Sequence, residues 1–332
     1  MKQLLALFKA RNIEFYRDKG SLSWSFIFPV MIIIGCAVAF SKPDTSVFNV
    51  GVYGSAEQLS LLRQPYIKTV TVGDLDKGLQ RLQYHQLDLL ISTGDKHRYW
   101  INTESTNSLA AERLFLDYDQ GFTREQTSGR KIRYVDWVIP GVLSMNLMFG
   151  SLFGVGYVIV RYRRNGVLKR LQATPASPMQ FLTAQLASRL IIVVMVNVII
   201  FVGCLLSLDL IVRGSYLALL LITILGALSM IAVGLLMACR TANEELAGGL
   251  LNMATWPMLF LSEVWFSLDN SPQWLRTVAD FMPLTHIVKA TRAVMIDGAT
   301  LVEVGHHLVW LGVLTAVCLA LAARLFRWSN TA

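Results

Sequence analysis

The sequence predicts an α-helical polytopic membrane protein: six transmembrane helices, with a small α/β extracytoplasmic domain between helices 1 and 2. Three observations predict it. Of 332 residues, 54% are hydrophobic and 16% charged, with a mean hydropathy of +0.49, whereas a soluble domain is about 45–50% apolar and about 25% charged. Six apolar stretches reach the roughly 20 residues that cross a bilayer as a helix. Lys and Arg gather at alternate ends of these stretches, as they do in short segments kept in the cytoplasm. The net charge of +8 therefore orients the chain in a membrane. Nucleic-acid binding, which needs a basic face interleaved with aromatics on a soluble fold, is excluded.

Residues 1–21 predict an amphipathic helix in the cytoplasmic interface, with Met1, Leu4, Leu5, Phe8, Phe15 and Tyr16 on one arc and Leu7 and Ile13 off it. An ordinary flanking helix is the alternative. The first span is 22–40. It is too long for a signal h-region and no small-residue cleavage site follows, so it is expected to stay as an anchor.

Residues 41–134 are polar, with basic and acidic residues nearly balanced. Short strands are expected at 48–53, 67–72 and 87–92, and helices at 74–86 and 109–118.

The remaining segment, 135–332, holds spans at 137–160, 181–206, 216–239, 246–266 and 307–326. Basic residues precede the first span, fill the loop between spans two and three, and follow the last, which places both termini inside. An outer cap or re-entrant segment at 267–298 carries two short helices, opened by Ser271-Pro272 and by Pro283. The cysteines Cys36, Cys204, Cys239 and Cys318 lie in or beside apolar stretches without a C-x-x-C pair, so they read as small buried hydrophobes.

The loop 161–180 is the densest basic cluster. RYRRNGVLKRLQATP has five positive charges and no negative one. Asn165-Gly166 breaks the preceding helix. Val167, Leu168 and Leu171 recur at helical spacing, with Lys169 and Arg170 on the other side. Ser177-Pro178-Met179-Gln180 has the form of a capping box opening span three. Spacing alone leaves two readings open: a topology anchor, or a short helix with a partner.

The run Arg163-Arg164-Asn165-Gly166-Val167-Leu168-Lys169-Arg170-Leu171-Gln172-Ala173-Thr174-Pro175 resembles the R-x-x-G-T-L-K-R-L-x-A-T-P motif of ABC type-2 exporter permeases, multidrug- and antibiotic-export-like. Val167 replaces the usual Thr, and Asn165 stands where Glu or Lys is common. Val138-Ile139-Pro140-Gly141, Pro272-Gln273-Trp274-Leu275 and Pro283-Leu284-Thr285-His286 with Arg292 resemble further motifs of that family. The resemblance covers the whole chain. It implies the ABC type-2 permease fold in a bacterial plasma membrane, N-in and C-in. Partners would be a cytoplasmic ABC ATPase subunit, a second copy or a paralogous permease, and membrane lipid.

The same resemblance makes the loop a coupling element of Arg164, Gly166, Val167, Leu168, Lys169, Arg170, Leu171, Thr174 and Pro175. Val167, Leu168 and Leu171 would pack into the ATPase groove, and Lys169 and Arg170 would pair with its acids or with lipid phosphates. Spans two and five would line the cargo path, which nominates Asn146, Phe149, Phe153, Asn252, Thr255 and Met258. Core packing explains those six equally well.

The family often has Ser-Gly where this chain has Ser262-Glu263. A carboxylate there is a candidate to bind a cationic substrate, pair with Arg276 or Lys289, or take a proton, and a solvated interfacial carboxylate is the alternative.

The chain carries no G-x-x-x-x-G-K-[ST] motif, so no cofactor is expected in it. ATP and Mg would be bound by the partner ATPase. His306-His307 reads as an interfacial pair without a third metal ligand. Gly150 and Gly154 permit close helix contact, within one subunit or at a dimer seam. Arg189 is expected to snorkel to the cytoplasmic surface. The function implied is export of a hydrophobic or amphipathic small molecule. Export of a lipid-linked glycan or lipid, and a mechanotransmitter or sensor without flux, are the alternatives.

Overall fold

A computed structural model describes residues 2–39, 48–54, 59–64, 66–94, 97–129, 132–174, 177–208, 210, 212–239, 243–268 and 271–325. The chain divides into two compact units, Phe40–Arg133 and the rest.

In the smaller unit the strands are β1 (Phe48–Tyr53), β2 (Ile67–Thr71), β3 (Leu89–Ser92), β4 (Arg98–Asn102) and β5 (Thr123–Thr127). Among the described residues they form one sheet of order β2-β1-β3-β4-β5, with only the β3–β4 pair antiparallel. Helix α3 (Leu75–Gln83) covers Leu90 and Trp100, and α4 (Thr106–Tyr118) covers Val52, Ile91 and Tyr99. The two faces of alternating strands thus feed two apolar cores.

Asp74 caps α3 and Ser105 caps α4 through their side-chain oxygens. Tyr99 donates to Glu112 at 3.0 Å, and Arg124 pairs with that carboxylate at 2.6 Å, tying α4 to β4 and β5. Burial, and then the bond to Glu112, push the Tyr99 hydroxyl up to about 12.

Strands β4 and β5 are additions to the expected set. β5 (TREQT) is a polar edge strand without an apolar alternation to announce it. β4 (RYWIN) carries a strand signal that adjoining charged residues break up.

The larger unit is helical. Its elements are α1 (Lys2–Arg17), α2 (Lys19–Ala39), α5 (Tyr134–Arg164), α6 (Val167–Gln172), α7 (Pro178–Leu208), α8 (Tyr216–Ala238), α9 (Glu244–Leu261), α10 (Gln273–Asp280), α11 (Pro283–Arg292) and α12 (Gly305–Leu325). Among the described residues α5, α7, α8 and α12 are long and apolar enough to cross a membrane, and α1 with α2 forms a pair bent by 60°. Helix α9 ends at Leu261, five residues short of the expected boundary, where Ser262 and Glu263 turn the chain. α5 is the central helix, packed against α2, α7, α8, α9 and α11. Pro272 is itself the cap residue of α10, one place later than expected, and Pro283 opens α11. Cys204, Cys239 and Cys318 are buried, and Cys36 is half-buried.

The face of α1 differs from the expected arc. Leu5 and Tyr16 point out, while Leu7, Arg11 and Phe15 turn inward with Asn12 and Glu14. Polar anchors set this rotation. Asn12 accepts from Ser188 at 3.1 Å, and Arg11 donates to the Gly154 carbonyl at 3.3 Å. A hydrophobic wheel weighs none of these bonds.

Candidate functional site

Three places on the larger unit gather the residues the sequence singles out. The first is the end of α5. Arg161 pairs with Glu14 of α1 at 2.6 Å, Tyr162 donates to the same carboxylate, and Arg11 holds it at 2.9 Å. Arg163 is 8% exposed and donates to the Ala238 and Cys239 carbonyls at 2.9 and 2.7 Å, closing the C-terminus of α8. Arg164 pairs with Glu244 in the first turn of α9 at 2.5 Å. The three arginines thus hold three different helices.

Gly166 then takes φ +68°, a left-handed conformation that glycine adopts without a Cβ penalty, and α6 begins. Leu168 is 0% exposed and sits in the chain's own core with Val155, Ile159, Phe181 and Leu182. That corrects the expectation that it packs into a partner. Leu171 packs on the same cluster and is half-buried, as is Val167. Lys169, Arg170 and Thr174 remain exposed. Arg170 donates to the Asn165 carbonyl at 3.3 Å, and Thr174 to that of Leu171 at 2.6 Å. Pro175 lies outside the described residues. Ser177 and Gln180 exchange hydrogen bonds at 3.2 Å each, the reciprocal capping box that starts α7.

The second place is a cavity of about 490 Å³ lined by α1, α2, α5 and Arg189 of α7. Asn146, Phe149 and Phe153 line it; Asn252, Thr255 and Met258 do not. Thr255 and Met258 are buried in packing, and Thr255 donates to the Leu251 carbonyl at 2.7 Å, so the α9 half of the expected cargo wall is absent from this cavity. Aromatic rings step along it: Trp24 on Phe28, Phe28 on Phe149, Phe149 on Phe153 and Phe153 on Tyr157, with centroids 5.6–6.1 Å apart.

Arg189 does not snorkel. It is 8% exposed and donates from Nε to the Gly150 carbonyl at 2.5 Å. A Cβ on Gly154 would fall 1.9 Å from its Cζ. The Gly150/Gly154 notch therefore houses a guanidinium. Sequence reasoning missed this because the glycine pair and the arginine sit on different helices, and only packing aligns them.

The third place follows α9. Glu263 has φ +56°, in the left-handed region that favours glycine. Its carboxylate lies 3.7 Å from Arg292 and 4.0 Å from Lys289, and its carbonyl accepts from Arg292 at 2.9 Å. Arg276, the other expected partner, instead donates to Ser271. Arg292 also stacks over Trp137 at 3.9 Å. A non-glycine residue here costs about 1 kcal/mol of backbone strain. We expect Glu263→Gly to be less destabilising than Glu263→Gln by about 1 kcal/mol, because both lose the ion pairs and only glycine relieves the strain. Thermal midpoints in detergent check the order, and equal midpoints would show that the strain is absent.

Nearby, His286 Nε2 donates to the Asp280 carbonyl at 2.8 Å, so in the neutral ring its Nδ1 accepts from His307 Nδ1 at 2.7 Å. Among the described residues no group of three ligands could hold a metal ion.

The sequence matches the family described as "ABC-2 type transporter" over residues 96–296. The chain is 24% identical over 196 residues to a "probable multidrug ABC transporter permease" of Escherichia coli, covering 58% of this chain and 53% of that protein. It is 24% identical over 201 residues to a "daunorubicin resistance ABC transporter permease protein" of Streptomyces coeruleorubidus, covering 59% and 70%. An "inner membrane transport permease" of Escherichia coli is 23% identical over 184 residues, covering 54% and 47%. The chain spans about half the length of the Escherichia coli relatives it matches.

Proposed function

This chain belongs to the ABC-2 type transporter family, as a multi-pass membrane permease, and from that premise we propose that it is the membrane subunit of an ATP-driven exporter. The observation that carries the reading is the family match over 201 residues, from β4 of the smaller unit through α11. We read six spans, α2 and α9 added to the four apolar helices, with both termini in the cytoplasm of a bacterial plasma membrane and the smaller unit outside. ATP and Mg are bound by a separate ATPase subunit. The permease works as a homodimer or beside a paralogous chain. The cargo is a hydrophobic or amphipathic small molecule, the chemistry that the aromatic cavity suits.

Closure of two ATPase subunits would push on α6. That helix is rooted in the core by Leu168 and joined through Gly166 to α5, whose arginines hold α1, α8 and α9. A push on α6 would thereby reach three helices at once, which suits transmission of force to the spans. The partner surface is then the exposed one, Lys169 and Arg170, facing acidic groups of the ATPase.

The test is a pull-down of the tagged chain from mildly solubilised native membrane, with ATPase activity assayed on the eluate. An ATPase should co-purify with the unmodified chain. The double variant Lys169→Glu/Arg170→Glu should lose it at least about tenfold, with the thermal midpoint of the permease unchanged because both side chains are exposed. An unmodified chain that brings down no ATPase in several detergents would overturn the exporter reading.

A further inference from the structure

Among the described residues, the cavity among α1, α2, α5 and α7 contains a cation without a counter-ion. Arg189 lies within a helix apolar enough to span a membrane, yet among the described residues no carboxylate stands within ion-pair distance of it. Among the described residues its hydrogen bond to protein is the one from Nε to Gly150, and the Phe15 ring lies 5.6 Å from its Cζ. The neighbouring charges do not compensate it. Arg11 is another cation, and Glu14 is already held by Arg11, Arg161 and Tyr162. Arg11, Arg161 and Arg189 against Glu14 and Asp18 leave the lining with one surplus positive charge.

A charge held in low dielectric is costly unless an opposite charge answers it, and ionisable groups inside a span are retained where they act on a ligand or pathway. The site is also built to keep this one: the Gly154 position has no room for both a Cβ and the guanidinium. Beside the cation runs the ladder of Trp24, Phe28, Phe149, Phe153 and Tyr157. A volume of about 490 Å³ lies within the range of small-molecule pockets, about 300–1,000 Å³.

We propose that this cavity binds an anionic amphiphile, with Arg189 as counter-ion to its carboxylate, sulfonate or phosphate and the aromatic ladder holding its apolar body. The inference deepens the exporter reading and rests on it in one respect: that the ligand is cargo. A bilayer phospholipid presents the same chemistry, and the experiment separates the two sources.

The full chain is reconstituted in phosphatidylcholine nanodiscs, without an ATPase. Dansylaminoundecanoic acid and its methyl ester are titrated in, with energy transfer from tryptophan as the readout and empty discs as the blank. The acid should bind about tenfold or more tightly than the ester, the gain of a charge-assisted hydrogen-bonded pair. Arg189→Gln should bring the acid to the ester's affinity and leave the ester unchanged. Arg189→Lys should retain part of the preference.

Equal affinities in the unmodified chain would overturn the proposal, as would a preference for the acid that persists in Arg189→Gln. If Arg189→Gln does not yield a monodisperse protein, the acid–ester comparison on the unmodified chain decides alone. Discs containing phosphatidylglycerol identify the source: displacement of the acid assigns the site to a lipid phosphate, and persistence assigns it to an acidic cargo. Failure here leaves the ATPase pull-down untouched, and failure of the pull-down leaves this binding result standing.

Discussion

Leu168→Asp is expected to destabilise the chain by about 5 kcal/mol or more, the largest effect of any single change considered. Leu168 is 0% exposed and belongs to a buried apolar cluster with Val155, Ile159, Phe181 and Leu182. Removing a buried leucine costs about 2–5 kcal/mol, and a carboxylate left in its place without a partner adds several more. The thermal midpoint in detergent should collapse, or the variant should not accumulate in the membrane. Leu168→Met, which keeps volume and polarity, should cost less than about 1.5 kcal/mol. An unchanged midpoint for Leu168→Asp, together with a lost ATPase, would show that Leu168 faces the partner and that the core position is wrong. This contrast separates the two faces of α6: the buried Leu168 acts on the fold, and the exposed Lys169 and Arg170 form the proposed partner surface.

Arg163→Ala is expected to cost about 3–5 kcal/mol. Its guanidinium donates to the carbonyls of Ala238 and Cys239 at the C-terminal end of α8, and hydrogen bonds to charged groups are worth about 1.5–3 kcal/mol. The cation also sits at the negative end of that helix dipole. Arg163→Lys keeps the charge and loses the fork, so it should recover about half. The neighbouring Arg161→Ala and Arg164→Ala break exposed pairs and should each cost less than about 1 kcal/mol. Hydrogen exchange at the amides of the last turn of α8 should rise in Arg163→Ala and in neither neighbour. Equal effects for all three arginines would mean that the cluster acts by net charge rather than by the distinct partners of each residue.

These predictions bear on what a sequence displays. Apolar length announces α5, α7, α8 and α12, because a helix in lipid must satisfy its backbone internally and cover itself with apolar side chains. The break at Gly166, the capping box at Ser177 and the start of α11 at Pro283 are local, set by residues within a turn of one another, and were legible for that reason. Strand β5 was not, since a polar edge strand owes its pairing to β4 and carries no apolar alternation. The burial of Arg11 and the outward turn of Leu5 were not, since they depend on Gly154 and Ser188, more than a hundred residues away.

The candidate site divides along the same line. Asn146, Phe149 and Phe153 share one face of one helix, and their grouping follows from helical spacing. Arg189 joins them because α7 crosses α5 where two glycines leave room. On α9, Thr255 and Met258 are buried in packing away from this cavity, and Asn252 is exposed.

By itself the sequence determined the kind of molecule this is. Its apolar stretches, the basic loop between two of them and the run from Arg163 to Thr174 follow from chain-local chemistry that any fold must accommodate. Tertiary structure alone decided the rest: which side chains of α6 face inward, which helix end each arginine of the cluster closes, and that Arg189 lies in a cavity instead of reaching for water. The physical reason is that a buried charge or a filled notch is an agreement between distant segments. Its energy resides in the contact, and neither partner signals it alone.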